Sequence, residues 1–220
     1  MKVLYVQGAK ATWLFDTRLI NPLGLELKSL FTSLKDRYEF AKAPAHEHER
    51  SDKGAFVFSG GFFAISDEKL SVSLTVFRDG IVAESASNTG HATAFLEDLR
   101  DFSLGIGYSI PPPSSISKGF SSTLVLETDV ELLRINPKLL PLIQFIQSKL
   151  VSLDGKPREF EFSRIAFASE DLSKPFAPTA FTFERRLEQP FSANRYYSEA
   201  PLQTNEHIEL LDKLEAILKA

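Results

Sequence analysis

The chain has 220 residues, 43% hydrophobic and 25% charged, with 25 basic against 29 acidic side chains for a formal net charge of −4. These values are ordinary for a globular protein, so wholesale disorder is excluded, and a general polyanion binder is disfavoured because phosphate neutralisation needs a clustered positive field. The absence of cysteine removes disulfides, thiol nucleophiles, Cys-ligated zinc and all-Cys iron–sulfur clusters, and it fits a reducing compartment.

Val3 to Val6 and Thr12 to Phe15 read as two short strands, the second carrying the sole tryptophan, Trp13. The opening apolar run is too short for a signal-peptide core, so a cytoplasmic location is expected. Asn21-Pro22 reads as a helix start, with Asn as cap and Pro at the first helical position, where its missing N–H costs nothing. Leu23, Leu27, Leu30, Phe31, Leu34 and Tyr38 then recur at helical spacing and define an inward face. Pro44 to Lys53, with His46 and His48 among charges, reads as an exposed loop.

Ala55 to Phe58 and Phe62 to Ile65 flank Gly60-Gly61, either as a hairpin or as one strand bulged at the glycines. Leu70, Val72, Leu74 and Val76 alternate with small polar residues, the pattern of a strand with one face on a core. Asp79-Gly80 reads as the centre of a type I′ turn, leading into a partner strand from Ile81 to Ser85. Asn88-Thr89 caps a helix whose inward face is Ala92, Phe95, Leu96, Leu99 and Phe102, ending at Gly105.

Residues 107–121, with Pro111-Pro112-Pro113, read as a linker between an N-terminal lobe (1–106) and a C-terminal lobe (122–220). A single domain over 1–220 is the alternative. Thr123 to Thr128 reads as a strand. Leu132 to Leu153 is the most apolar stretch, but Arg134, Lys138 and Lys149 make it a costly membrane span. Its helix, opened by Asn136-Pro137, has apolar residues from Leu139 to Leu150 on most sides and should be covered by the core or by another subunit. Phe160, Phe162 and Phe167 mark a strand region, Phe181 to Phe183 another, and Thr204 to Leu218 a last helix with Leu210, Leu211, Leu214, Ile217 and Leu218 inward.

Ile20-Asn21-Pro22 and Ile135-Asn136-Pro137 lie 115 residues apart. At the same offset Thr89 maps to Thr204, Phe95 to Leu210, Leu96 to Leu211, Leu99 to Leu214 and Phe102 to Ile217. An internal duplication is one reading of this, in which case the seam between the halves is the favoured binding position; chance similarity of capped amphipathic helices is the other.

Chemistry is thinly marked. His46 and His48 supply at most two ligands of an incomplete metal motif, and no metal or other cofactor is expected. His91 and His207 read as exposed residues in the first turns of their helices. The paired acids Glu97-Asp98 and Glu170-Asp171 have no catalytic partners in sequence and read as solvated. The glycine clusters fit neither a dinucleotide fingerprint nor a P-loop, and there is no nucleophile elbow. Arg185, Arg186, Arg195, Tyr196 and Tyr197 form the one constellation suited to an anion or a stacked base; packing against Glu188 or Glu199 is the plainer reading.

The expectation is therefore an α+β fold, with an antiparallel or mixed sheet and helices mainly on one face. It is expected to be a non-catalytic cytoplasmic interaction or assembly protein, self-associating through the Leu139 to Leu150 helix. A nucleic-acid- or anionic-ligand-binding protein using the Arg/Tyr cluster is the alternative, and a hydrolase without a local motif the third option. A protein partner or second copy is favoured over nucleic acid, and no membrane is expected.

Overall fold

The structure, a computed structural model, describes all residues except 67, 158 and 171–177, and says nothing of the side chains of 152–154. Among the described residues eight strands form one sheet: β1 (Lys2–Leu14), β2 (Phe56–Ile65), β3 (Glu68–Phe77), β4 (Gly80–Ser85), β5 (Ser117–Glu127), β6 (Arg164–Phe167), β7 (Phe181–Arg185) and β8 (Arg195–Ala200). The helices are α1 (Leu27–Arg37), α2 (Thr89–Gly105), α3 (Leu140–Asp154) and α4 (Thr204–Lys219). Every strand pairing is antiparallel, in the order β2-β3-β4-β1-β5-β8-β7-β6. That order is palindromic: match β1–β4 to β5–β8 and it reads the same from either end.

β1 replaces the two short strands expected at the N-terminus. It is continuous because it lies at the centre of the sheet, paired to β4 from Ala9 to Leu14 and to β5 along its whole length. The break suggested by Gln7-Gly8 is absorbed as a register shift on the β5 side. β2 likewise crosses its two glycines as one strand, bulged between Phe58 and Gly61. Gly60 has φ of +67°, and a Cβ on Gly61 would lie 2.3 Å from the Phe40 ring.

The β3–β4 hairpin sits where Asp79-Gly80 placed it, but the turn is different. Phe77 pairs with Gly80, so Arg78 and Asp79 are the central residues, and neither has positive φ. The type I′ expectation fails because the turn is tied to the end of β1: Phe15 N donates to Asp79 O and Thr17 N to Arg78 O, both at 3.1 Å. Gly80 serves packing instead, since a Cβ there would lie 2.4 Å from the Trp13 carbonyl oxygen.

α1 begins six residues after Asn21. Gly24 takes φ of +66°, which breaks helical continuity, and the Asn21 side chain closes a local turn through Leu25 N and O. Leu23 is left 73% exposed, while Leu30, Phe31 and Leu34 are buried as their spacing implied. α2 keeps its Asn88 cap, whose Oδ1 accepts from His91 N at 2.8 Å. On its outer side Asp98 is engaged, not simply solvated: Arg37 donates to both of its oxygens and the Tyr38 hydroxyl to one, at 2.7 Å. Burial, with that carboxylate beside it, pushes the Tyr38 hydroxyl well above the usual phenol range. Asp171, of the other acidic pair, lies outside the described residues.

α1, α2 and α4 cover one face of the sheet in two apolar clusters. Trp13, Phe31, Phe58, Leu74 and Phe95 anchor the first, and Leu124, Leu126, Phe183, Tyr196 and Leu211 the second. The stretch read as a linker ends early, because β5 starts at Ser117 and carries the sheet from one cluster to the other. Where the halves meet, α2 and α4 cap each other. Thr89 N donates to Thr204 Oγ1 at 3.0 Å, and Thr204 N to Thr89 Oγ1 at 2.9 Å.

Candidate interaction surfaces

β7 and β8 are adjacent, so the Arg/Tyr residues are neighbours in space, but strand alternation divides them between the two faces of the sheet. Arg185 and Tyr196 are register partners pointing into the second cluster, 8% and 1% exposed. The Arg185 guanidinium pairs with Glu161, not with Glu188 or Glu199, donates to Phe191 O at 2.9 Å, and lies between the Phe191 and Tyr196 rings. Tyr196 stacks on Phe183 at 4.9 Å, and burial raises its hydroxyl pKa. Arg186 and Tyr197 belong to the open face. Arg186 donates to the Tyr5 hydroxyl at 2.9 Å, and Tyr197 sits in a row with Tyr5, Val125 and Glu184. Arg195, at the start of β8, is exposed. The structure thus brings Arg186 and Tyr197 to one accessible surface and commits Arg185 and Tyr196 to the core.

His207 is fully buried, not an exposed first-turn residue. Its ring links α4 to two strands: Nδ1 lies 2.7 Å from Ser122 Oγ and Nε2 2.9 Å from Ser198 Oγ. Ser198 Oγ itself donates to Thr182 O at 2.8 Å, so its lone pair receives the Nε2 proton and Nδ1 accepts from Ser122. Burial is the main cause that pushes the imidazole pKa down to about 4, with the Ser122 backbone acting in the opposite sense. The Ser–His–Ser chain is sealed from solvent, so it fastens helix to sheet and reaches no substrate. Sequence spacing could have shown this, because Thr204, His207, Leu211, Leu214 and Leu218 form one buried stripe. Ile217, expected inward, is off that stripe and 68% exposed.

His91 is half-buried, its Nδ1 2.7 Å from Ser87 Oγ. His46 and His48 are on an exposed loop. Among the described residues no group of three or more His, Asp or Glu side chains could hold a metal ion, and no helix is long and apolar enough to cross a membrane.

The third helix departs most from expectation. None of its described side chains is buried, although the sequence is apolar on most sides. Leu142 and Phe145 are each 61% exposed, with Leu140, Ile146 and Val151 at 40–43%. At the 115-residue offset Phe145 and Ile146 correspond to Leu30 and Phe31, which α1 buries against β2. Lys149 Nζ rests 5.2 Å from the Phe145 ring centre, and Gly155, at φ of +72°, ends the helix. α3 therefore keeps the composition of a packed helix and presents it to solvent.

No protein-family model matches the chain, and a search of curated proteins gave no significant match.

Proposed function

We propose that this chain is a non-catalytic cytoplasmic assembly protein that pairs with a second copy of itself through α3. The observation carrying the reading is the exposed apolar side of that helix: Leu142, Phe145 and Ile146, 43–61% exposed, fall together at helical spacing, while Leu140 and Val151 lie on its opposite side.

A whole aliphatic or aromatic side chain of this size offers roughly 60–120 Å² of apolar surface, so these three keep about 150 Å² in water. Two copies would bury about 300 Å² of apolar surface, and about 500 Å² in total if some 60% of the contact is non-polar. Apolar transfer of that area is worth about 8 kcal/mol before the cost of association, which is of similar size. The balance leaves a weak, reversible contact.

An isologous contact suits a stripe with a basic flank. An antiparallel crossing about the helix midpoint brings Lys149 of each copy toward Phe145 of the other, repeating the contact it makes within its own chain. The palindromic strand order supports a further part of the reading, that the two halves are copies of one unit whose second helix position was turned outward for assembly.

Sedimentation velocity from 1 to 200 μM tests the proposal. The expected result is a mass rising from one chain to two, with Phe145→Glu holding the protein monomeric at an unchanged melting temperature. A monomer throughout, or a dimer indifferent to Phe145→Glu, overturns it.

A further inference from the structure

A cavity of about 500 Å³ lies between α1 and the inner face of β2, β3 and β4. Leu27, Leu30 and Phe31 form its roof, and Phe58, Leu74 and Ile81 its floor. Its mouth is ringed by Arg18, Arg50 and Arg78, all exposed, and no lining residue is acidic.

Protein interiors hold few voids larger than a water molecule, and an apolar lining gives water no partners. A space of this size has room for roughly 15 water-sized groups at about 30 Å³ each. The three guanidinium groups are not equally committed. Arg18 is doubly bonded to Asp16 through Nε at 2.9 Å. Arg50 stacks over the Phe56 ring at 4.2 Å and gives one N–H to Gly54 O. The Arg78 side chain has no hydrogen bond or ion pair among the described residues, its charge acting only at longer range on the Asp16 carboxylate, and the hairpin turn that carries it is pinned to residues 15–17. The site therefore joins a bounded apolar interior to a positive rim on which the Arg78 guanidinium keeps its hydrogen-bond donors unused.

We propose that this cavity binds a medium-chain alkyl carboxylate, with the chain under α1 and the head group at Arg78, assisted by the remaining donors of Arg50. Dodecanoate, with 12 carbons and two oxygens, is of the size the cavity holds. Each methylene removed from water adds about 0.8 kcal/mol, and a charge-assisted hydrogen bond fixes which end enters last. This site is on the opposite half of the chain from α3 and does not depend on dimer formation.

Isothermal titration with dodecanoate, kept below its micelle concentration, is the test, with dodecanol as the uncharged control. The expected result is one site per chain, at least tenfold weaker binding of dodecanol, and a melting temperature raised by dodecanoate. Arg78→Glu should weaken dodecanoate at least tenfold and leave dodecanol unchanged. Leu27→Trp, at the half-exposed edge of the roof, should reduce binding of both. No binding by the wild-type chain overturns the proposal; so does equal affinity for acid and alcohol, or binding indifferent to Leu27→Trp, which would place the ligand elsewhere.

Discussion

Acid should weaken this protein before its carboxylates titrate, through His207. The buried ring has its pKa pushed down to about 4 from an ordinary 6.5. Unfolding releases it to take up a proton wherever the pH is below 6.5, so the unfolded chain binds more protons and stability falls with falling pH. The contribution is complete above pH 6.5, declines through the window from 6.5 to 4, and is lost below about 4. The full span of 2.5 units corresponds to about 3 kcal/mol, and roughly 2 kcal/mol of it is already lost at pH 5. Urea unfolding at pH 7.5 and pH 5.0 measures that loss, and His207→Gln, which has no titrating ring, isolates it from the carboxylates. The wild-type chain should lose about 2 kcal/mol more than the variant between the two conditions. Should His207→Gln fold poorly, titration of the ring followed by NMR in the wild-type chain gives the same answer. A ring pKa near 6.5, or identical pH dependence in wild type and variant, refutes the reasoning.

Two further outcomes follow from close contacts. Thr89→Val and Thr204→Val each leave one buried backbone N–H without its acceptor and should cost about 1–3 kcal/mol. The double variant should cost less than the sum, as chemical denaturation of all four proteins would measure. Gly80→Ala should destabilise by at least about 2 kcal/mol, because its Cβ would meet the Trp13 carbonyl at 2.4 Å, a backbone atom inside the sheet. Gly105→Ala, with nothing within 4 Å, is the control and should be neutral or slightly stabilising in the same melting experiment.

Elements governed by local chemistry were legible in the sequence. Asn88 capping α2 and the alternation of Leu70 to Val76 in β3 are examples, since cap and pleat depend on residues within one turn or one strand. β8 was not legible as a strand. Its inward positions are Tyr196, Ser198 and Ala200, and the buried Ser198 hydroxyl is satisfied by His207, nine residues on, and by the Thr182 carbonyl of the neighbouring strand. A polar residue satisfied at long range looks like a surface residue in sequence. Arg185 is a similar case, its ion pair with Glu161 and its two aromatic neighbours being brought together by the sheet. For α3 the helix itself was legible and its environment was not, because periodicity shows which residues avoid water and not what covers them. The cavity under α1 left no trace in sequence either: its three arginines come from three separate loops, and its roof and floor read as ordinary core positions.

The β1–β5 ladder carries a consequence for the order of events during synthesis. β1 occupies the middle of the sheet, yet the partner on one of its sides is made more than a hundred residues later. At ribosomal speeds of about 5–20 residues per second, that edge of β1 stays open for on the order of ten seconds, with Val3, Val6 and Ala9 awaiting a neighbour. Such a pairing between distant segments folds slowly and is vulnerable to intermolecular pairing in the meantime. Nascent chains truncated before Ser117 should therefore engage chaperones strongly, and those extended past Glu127 should be released from them.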